Sequence, residues 1–280
     1  MLISAFLALA AQSAFTVTNS VYKGPVERPA NARLVWSDEF DGSSLYLAKW
    51  RYETAFNKKG WFNRELQYYS AGRPENLRVA HGVLTIEAQR ETPSHLADWG
   101  GQRYTSARIL SNGSGWTYGY YEIRAKLPCG RGTWPAIWML PVDLKKWPDD
   151  GEIDIMERVG WKPNEIVTSL HTKLFNHTIA TQRSAQRVLP TSCDSFHVYQ
   201  LDWRPDSITI GVDNAGILRV LNDQPGGKGA WPFNVPFRMI LNLAIGGEWG
   251  GAKGIDDAAM PQRMDVDYVR VWQVPPGERG

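Results

Sequence analysis

The segment Gly151–Glu157 constrains this chain most, because it places three carboxylates within six residues. The acids Glu152, Asp154 and Glu157 are separated by large apolar residues, namely Ile153, Ile155 and Met156. Alternation of polar and apolar side chains is typical of a strand with one polar face and one buried face. We therefore predict a strand here that gathers its acids on one side of a sheet.

The spacing of these acids departs from that of a regular strand. Strand side chains alternate with period two, so Glu152 and Asp154 share a face while Glu157 would point the opposite way. One extra residue, inserted as a β-bulge between Asp154 and Glu157, returns Glu157 to the shared face. Four steps of roughly 3.3 Å then separate the Cα atoms of Glu152 and Glu157 by about 13 Å.

Side chains that lean inward from that separation bring the two carboxyls to the order of 5–6 Å apart, the window for retaining glycoside hydrolysis. One carboxylate is then the nucleophile and the other the proton donor, whereas inverting enzymes need roughly 6.5–9.5 Å. Asp154 would tune the nucleophile and help to keep Glu157 protonated. The competing interpretation is an edge strand with exposed acids, although large apolar residues between the acids are unusual there.

Composition excludes several classes of protein. The net charge is only +2, from 31 basic and 29 acidic residues, so we expect no nucleic-acid partner. Beyond the N-terminus, no stretch approaches the roughly 20 apolar residues of a membrane-spanning helix, so no membrane partner is expected. The chain has 13 Trp, 11 Tyr and 9 Phe. Exposed tryptophans in a cleft would suit the apolar faces of sugar rings, although aromatic residues also fill cores.

The N-terminal residues resemble a targeting segment. Residues 2–11 are apolar and are followed by small residues, as in a signal peptide, although no Lys or Arg precedes them. We expect a signal peptide over residues 1–14 and a secreted protein, extracellular or periplasmic. The alternatives are a mis-assigned start and an apolar N-terminal strand. Cys129 and Cys193 could pair in a secreted chain, and two isolated buried thiols suit the sequence equally well.

The rest of the chain consists of many short strands. We interpret residues 15–32 as a leader, 33–273 as a single catalytic domain and 274–280 as a tail. Alternation is clearest in Gly119–Leu127, whereas Lys173–Asp194 lacks periodicity and is predicted to be a long loop. No segment has a long 3.6-residue period, and turn signals are frequent. These features predict an all-β sandwich or jelly roll, with a concave face that could hold an extended polymer.

Several motifs, taken together, resemble glycoside hydrolase family sixteen and, within it, the laminarinase-type endo-β-1,3-glucanases. The resemblance covers about residues 33–273 and is carried by Trp36-Ser37-Asp38-Glu39-Phe40, Glu65-Leu66-Gln67-Tyr68-Tyr69, Thr105-Ser106-Ala107-Arg108, Gly132–Pro141, Gly151–Glu157 and Pro261-Gln262-Arg263-Met264. It implies a β-jelly-roll sandwich of two curved antiparallel sheets with a concave substrate cleft. Lichenases often have a shorter Glu-x-Asp-x-Glu segment without the bulge, so Met156 favours the laminarinase branch.

The resemblance also implies roles for individual residues. Glu152 would be the nucleophile and Glu157 the general acid/base, with Asp154 assisting. Family substrate contacts correspond to Asn63, Arg108, Trp134, Trp138, His171 and Gln262. The simpler interpretations are core packing for the tryptophans, an ion pair for the arginine and a satisfied core residue for the histidine. No cofactor is expected for catalysis, the expected partner is a β-glucan, and we expect a monomer.

Many family members hold one structural Ca²⁺ on the convex side, away from the cleft. Its usual ligands correspond to Glu39, the Gly82 carbonyl and Asp267, with water at the remaining positions. The simpler interpretation is ordinary carboxylates at strand ends. Three positions depart from the family pattern: Arg64 and Glu248 stand where asparagine is common, and Cys129 departs from the usual family turn.

The leading hypothesis is retaining endo-hydrolysis of β-1,3-glucosidic bonds in laminarin-type β-glucans. Mixed-linkage β-1,3-1,4-glucan is a second substrate to consider, and a transglycosylase would use the same nucleophile. A β-glucan-binding protein on this fold usually lacks the catalytic acids, so the three acids argue against that function. A hydrolase for sulfated galactans should have a more basic cleft.

Overall fold

The computed structural model describes residues 21–278, so the expected signal peptide (residues 1–14) and the first part of the leader lie outside the described residues. Within residues 21–278 the strands are β1 Arg33–Asp38, β2 Trp50–Tyr52, β3 Gln67–Tyr69, β4 Leu77–Ala80, β5 Val83–Ala88, β6 Tyr104–Ser106, β7 Arg108–Ser111, β8 Gly119–Lys126, β9 Thr133–Pro141, β10 Glu152–Glu157, β11 Glu165–His171, β12 Arg183–Val188, β13 His197–Trp203, β14 Ser207–Val212, β15 Ala215–Leu221, β16 Phe237–Ile245 and β17 Gln262–Gln273. Short 3₁₀ turns span Phe62–Arg64, His177–Ile179, Gly227–Gly229 and Asp257–Ala259. No helix of this described part is long and apolar enough to cross a membrane.

Two large antiparallel sheets confirm the predicted all-β sandwich. The first, called the outer sheet, has the order β15-β14-β13-β8-β17-β5-β4, with β1 paired to β17. The second, called the cleft sheet, has the order β12-β11-β10-β9-β16-β7-β2. Strands β3 and β6 form a small parallel pair. The acid strand β10 is therefore central, with a partner on each side, and is not the edge strand of the competing interpretation.

The core lies between the two sheets and explains why the other face of the cleft sheet is free for function. Ile137 and Met139 on β9 and Ile153 on β10 are fully buried, as are Tyr121 and Ile123 of the outer sheet. Successive strand residues point to opposite faces. The residues between these apolar positions of the cleft sheet therefore project away from the core.

The strand predicted over Gly119–Leu127 is found as β8, but the prediction of a loop over Lys173–Asp194 is wrong. Strand β12 lies inside it and pairs with β11 at the end of the cleft sheet. An edge strand has a neighbouring strand on one side only, so its sequence need not show a regular apolar pattern. In β12 only Arg183 and Ala185 are buried, which left the sequence without a visible period.

Two connections fix the periphery of the sandwich. Val26, within the segment that we assigned to a leader, is 1% exposed and packs with Tyr120 and Trp272 of the outer sheet. Packing of the chain on this sheet thus begins before residue 33. A disulfide joins Cys129 to Cys193, a pairing that the sequence left open, and links the β8–β9 and β12–β13 connections.

Candidate active site

The solvent-facing side of the cleft sheet forms a hollow of about 590 Å³, called the cleft below. Its floor comes from alternate residues of the central strands β9, β10 and β16, and loops supply the rim. The lining residues are Phe62, Asn63, Arg64, Glu65, Arg108, Trp134, Ala136, Trp138, Leu140, Leu144, Trp147, Glu152, Asp154, Glu157, His177, Thr178, Asn242, Ala244 and Glu248. All three predicted acids therefore line one cleft, together with three tryptophans.

Strand β10 carries a bulge between Asp154 and Glu157, which confirms the predicted irregularity. Opposite β9, Asp154 and Met156 pair with consecutive residues, so Ile155 is the extra residue. Ile155 and Met156 are both buried. Two successive side chains thus enter the core, and the alternation resumes with Glu157 on the cleft side.

Glu152, at the start of β10, is held between two rings. The indole N–H of Trp147 donates to Oε2 at 2.9 Å, and Nε2 of His171 lies 3.8 Å from Oε1. Burial raises the pKa of Glu152 well above its usual value, and the charges of Asp154 and Glu157 add to this effect. His171 and Trp147 act in the opposite direction because they favour the ionised carboxylate.

Asp154 is the most buried of the three acids, at 2% exposure. Its Oδ2 lies 3.2 Å from Nε2 of His171. Burial and the charge of Glu157 raise its pKa well above the usual range, while a hydrogen bond with Glu152 lowers it. Neighbouring carboxyls of this kind titrate in linked steps, because the charge of one raises the pKa of the other. When Glu152 is ionised, as a nucleophile must be, its bond from Trp147 is charge-assisted.

Glu157 has a different environment on the same face. The indole N–H of Trp134 donates to its Oε1 at 3.0 Å. Burial raises the pKa of Glu157 and Glu65 contributes to the rise, whereas His171 and Trp134 lower the pKa. A carboxyl with a raised pKa retains its proton closer to neutral pH, which suits a general acid.

Aromatic and basic side chains form the wall beside the acids. The indole N–H of Trp138 donates to Oδ1 of Asn242 at 2.7 Å. The guanidinium of Arg108 lies 4.8 Å from the Trp138 ring centroid and 5.2 Å from that of Trp61, and it is ion-paired with Glu53. Arg108 therefore lines the cleft and also fixes the ring of Trp138 from one side.

Comparison with known proteins agrees with this geometry. Residues 64–270 match the glycosyl hydrolases family 16. The chain belongs to this family. It is 48% identical to a beta-glucanase of Rhodothermus marinus over 250 residues, which cover 86% of this chain and 85% of that protein. The protein is thus a glycoside hydrolase, as the sequence predicted.

Solved structures of the family share the fold. SCLam, a non-specific endo-β-1,3(4)-glucanase of family 16, superposes with a TM-score of 0.89 at 49% identity, covering 92% of this chain and 97% of that one. The laminarinase from Rhodothermus marinus superposes with a TM-score of 0.80 at 47% identity, covering 86% and 97%. These likenesses confirm the predicted jelly roll of two antiparallel sheets.

The structure of this family 16 hydrolase separates the predicted substrate contacts into two groups. Asn63, Arg108, Trp134 and Trp138 line the cleft. His171 is not among the lining residues: it is 5% exposed, pairs with Glu152 across β10 and β11, and contacts the acids, so its expected substrate contact stays a prediction.

Gln262 is not among the residues that line the cleft. Its Oε1 accepts from the Gly130 N–H at 2.7 Å, and its Nε2 donates to the Ala259 carbonyl at 2.5 Å. Because the backbone satisfies both ends of the amide, Gln262 joins two turns, and its expected substrate contact stays a prediction.

The expected calcium ligands are engaged otherwise. Glu39 accepts from Arg270 at 2.7 and 3.0 Å, and this bond lowers its pKa. Asp267 is ion-paired with Arg124. A hard cation needs carboxylate oxygens that are free to coordinate it. In this arrangement the two acids do not fit a cation site, and calcium at Glu39, Gly82 and Asp267 stays an untested prediction.

One other group has metal-ligating chemistry. Atoms of Glu152, Asp154 and His171 lie within 4.8 Å of one another. Glu152 and Asp154 line the cleft together with Glu157, and His171 lies beside them. We therefore assign this group to acid–base chemistry and assign no metal to it.

Three residues of the candidate site escaped the sequence analysis. Trp147 reaches Glu152 from the turn before β10, Glu65 lies beside Glu157, and the His177 ring packs 5.1 Å from the rings of Trp147 and His171. Trp147 and Glu65 stood within or near motifs that the sequence analysis used. His177 is on a loop with no periodic signal, so only the fold brings it to the cleft.

The buried acids lead to a prediction for stability. The pKa of Asp154 is raised above its ordinary value of 3.8, so ionisation of the unfolded chain favours unfolding as the pH rises above about 4. Asp154→Asn should raise the free energy of unfolding at pH 7 by about 1–2 kcal/mol, because strained active-site groups destabilise a fold. This gain in the free energy of unfolding should vanish at pH values below the pKa of Asp154 in the unfolded chain. Urea unfolding at pH 7 and pH 3.5 measures both values.

A matched control lies four residues earlier. Lys228 and backbone N–H groups of Lys146 and Lys145 lower the pKa of Asp150 to about 2. Asp150→Asn should therefore lower stability at pH 7, the opposite sign to Asp154→Asn. If Asp154→Asn were also destabilising at pH 7, our account of the buried acids would be wrong.

Proposed function

We propose that this hydrolase cleaves internal β-1,3-glucosidic bonds of laminarin-type β-glucans with retention of anomeric configuration. The observation that carries the proposal is the bulged strand β10, which presents Glu152 and Glu157 to one cleft. The likeness to a laminarinase and to a beta-glucanase supports the choice of polymer.

In the first step, an oxygen of ionised Glu152 attacks the anomeric carbon of the sugar at the cut. Glu157 gives its proton to the glycosidic oxygen, so the leaving chain departs as a neutral alcohol. The product is a glycosyl ester on Glu152. Trp147 acts through Glu152, because its N–H stabilises the carboxylate charge before attack, and Asp154 assists from the same strand.

In the second step, Glu157 is a carboxylate and takes a proton from water. The water oxygen attacks the anomeric carbon from the face that the leaving chain vacated, and the bond to Glu152 breaks. Two inversions give net retention. Glu157 ends protonated and Glu152 ionised, so the enzyme is ready for another cycle.

Mixed-linkage β-1,3-1,4-glucan is a second substrate for which there is a specific observation. SCLam is described as a non-specific endo-β-1,3(4)-glucanase and is 49% identical to this chain. We infer that the cleft accepts a β-1,4 linkage next to the β-1,3 bond that is cut. Reducing-end release from laminarin and from barley glucan measures the preference, with agarose as the negative substrate.

We also propose that the enzyme acts outside the cytoplasm. Polymeric glucans do not enter cells, and the Cys129–Cys193 disulfide is of the kind formed in oxidising compartments. Protein purified from its natural compartment and denatured without reductant should show no free thiol in a colorimetric assay. Two thiols per chain would contradict this localisation.

The two glutamate roles predict opposite products in azide rescue. Glu152→Ala should lower kcat at least as much as Glu157→Ala, roughly 10²–10⁴-fold. Azide that occupies the space of the lost Glu152 carboxylate attacks directly and gives an α-glucosyl azide. With Glu157→Ala and an activated aryl β-glucoside, azide attacks the glycosyl enzyme and gives a β-glucosyl azide. Proton NMR of the anomeric position distinguishes them.

Glu165→Ala is the control, because Glu165 pairs with Lys162 outside the cleft and should retain near-normal turnover. Near-normal turnover by Glu152→Ala, or a β-azide from that variant, would overturn the assignment of the nucleophile. Products longer than the starting oligosaccharide would indicate transglycosylation instead of hydrolysis.

The hydrogen bond from Trp134 to Glu157 predicts a shift in the pH profile. This bond lowers the pKa of Glu157 by favouring the ionised form. Trp134→Phe should therefore raise that pKa and move the alkaline limb of kcat/KM to higher pH, because the general acid keeps its proton longer. Activity at the optimum should fall roughly tenfold through the lost contact.

Trp138→Phe is the matched control. The Trp138 indole also lines the cleft, but its N–H donates to Asn242 and not to an acid. It should lower activity without moving the alkaline limb. If the alkaline limbs of the two kcat/KM profiles lay at the same pH, Trp134 would not affect the pKa of the general acid.

A further inference from the structure

A second hollow adjoins the cleft. It has a volume of about 510 Å³ and is lined by Leu66, Ile255 and parts of the glycine-rich segment 246–254. The two hollows share two lining residues, Arg64 and Glu248. These side chains therefore form the boundary between them.

Arg64 and Glu248 meet as an ion pair at this boundary. Nε of Arg64 lies 3.3 Å from Oε1 of Glu248, and the side chains are 86% and 62% exposed. Exposed pairs of this kind contribute only about 0–1 kcal/mol to stability. The contact can thus be removed without threatening the fold, and its position matters more than its strength.

The backbone beneath the pair is fixed more firmly than its side chains. The Glu248 N–H donates to the Asn63 carbonyl at 2.8 Å, and the Leu66 N–H donates to the Ile245 carbonyl at 2.9 Å. Arg64 has a positive φ of 56°, a conformation that side chains seldom adopt outside specific turns. The two loops are therefore joined where the charged side chains face each other.

The surface beyond the pair is apolar and adjoins the aromatic wall of the cleft. Leu66 and Ile255 are apolar, and glycines expose backbone beside them. Gly247 adjoins the ring of Trp134, and that ring packs 5.3 Å from Trp249 in an edge-on contact. The second hollow thus continues from the aromatic wall of the cleft.

We propose that the Arg64–Glu248 ion pair is a partition that ends the substrate cleft on the Trp134 side and limits the number of sugar residues held there. This rests on the proposed function, since it concerns a linear β-glucan in the cleft. At positions 64 and 248 the family commonly has asparagine, whereas this chain has charged residues. The fold places these two charged residues in contact. Removal of both side chains joins the hollows into one longer cleft.

The test uses β-1,3-gluco-oligosaccharides of increasing length, labelled at the reducing end. For the wild-type enzyme, kcat/KM should rise with length and then level off. For Arg64→Ala/Glu248→Ala, the rise should continue for one more sugar, with a further gain of roughly five- to tenfold. The charge swap Arg64→Glu/Glu248→Arg keeps the partition and should level off at the wild-type length.

Arg78→Ala/Glu87→Ala removes an ion pair on strands β4 and β5 of the outer sheet and is the matched control. It should keep the wild-type length dependence. A plateau at the wild-type length in the Arg64→Ala/Glu248→Ala enzyme overturns the partition. An equal loss at every length also overturns it, because the two side chains would then be ordinary sugar contacts.

A binding series separates this inference from the proposed function. The same oligosaccharides are titrated by calorimetry into Glu152→Gln enzyme, with and without the two alanine substitutions. If Kd levels off at a longer oligosaccharide when the two alanine substitutions are present, the partition is supported. This holds even if turnover shows the polymer assignment to be wrong. If the oligosaccharides bind neither protein, both the partition and the proposed function fail.

Discussion

The extra residue in β10 is the constraint on which the whole site depends. A regular strand would direct Glu157 into the core, where an unpaired carboxylate is very costly. With the bulge, Ile155 and Met156 both enter the core and Glu157 faces the cleft. The neighbouring strands β9 and β11 are continuous and hold the irregular strand from both sides. One local irregularity thus serves packing and chemistry together.

The site concentrates charge that its surroundings only partly compensate. Each glutamate receives one indole N–H, from Trp147 for Glu152 and from Trp134 for Glu157. Asp154 has no such donor among its described contacts and depends on its carboxyl neighbour and on His171. The fold tolerates this because the apolar core between the sheets is large, so stability from packing offsets an electrostatically unfavourable face.

Features that depend on neighbouring residues in the sequence could be predicted, whereas features that depend on distant segments could not. The strand, its bulge and the three acids were predictable because alternation and its interruption are local. The shared face of Trp134 and Trp138 follows from the same period. Trp147 and His177 were not predictable from period, because loops carry them to Glu152 and its neighbours. Strand β12 was missed since an edge strand with one partner needs little apolar alternation.

The coupling of the acids also explains how one carboxyl can serve as acid and then as base. The charge of Glu157 raises the pKa of Glu152, and such repulsion acts in both directions. In the proposed mechanism, Glu152 loses its negative charge when it becomes a glycosyl ester. The ionised form of Glu157 is then less disfavoured, so its pKa falls at the stage when it must accept a proton from water. Reformation of the Glu152 carboxylate raises the pKa again and restores the general acid.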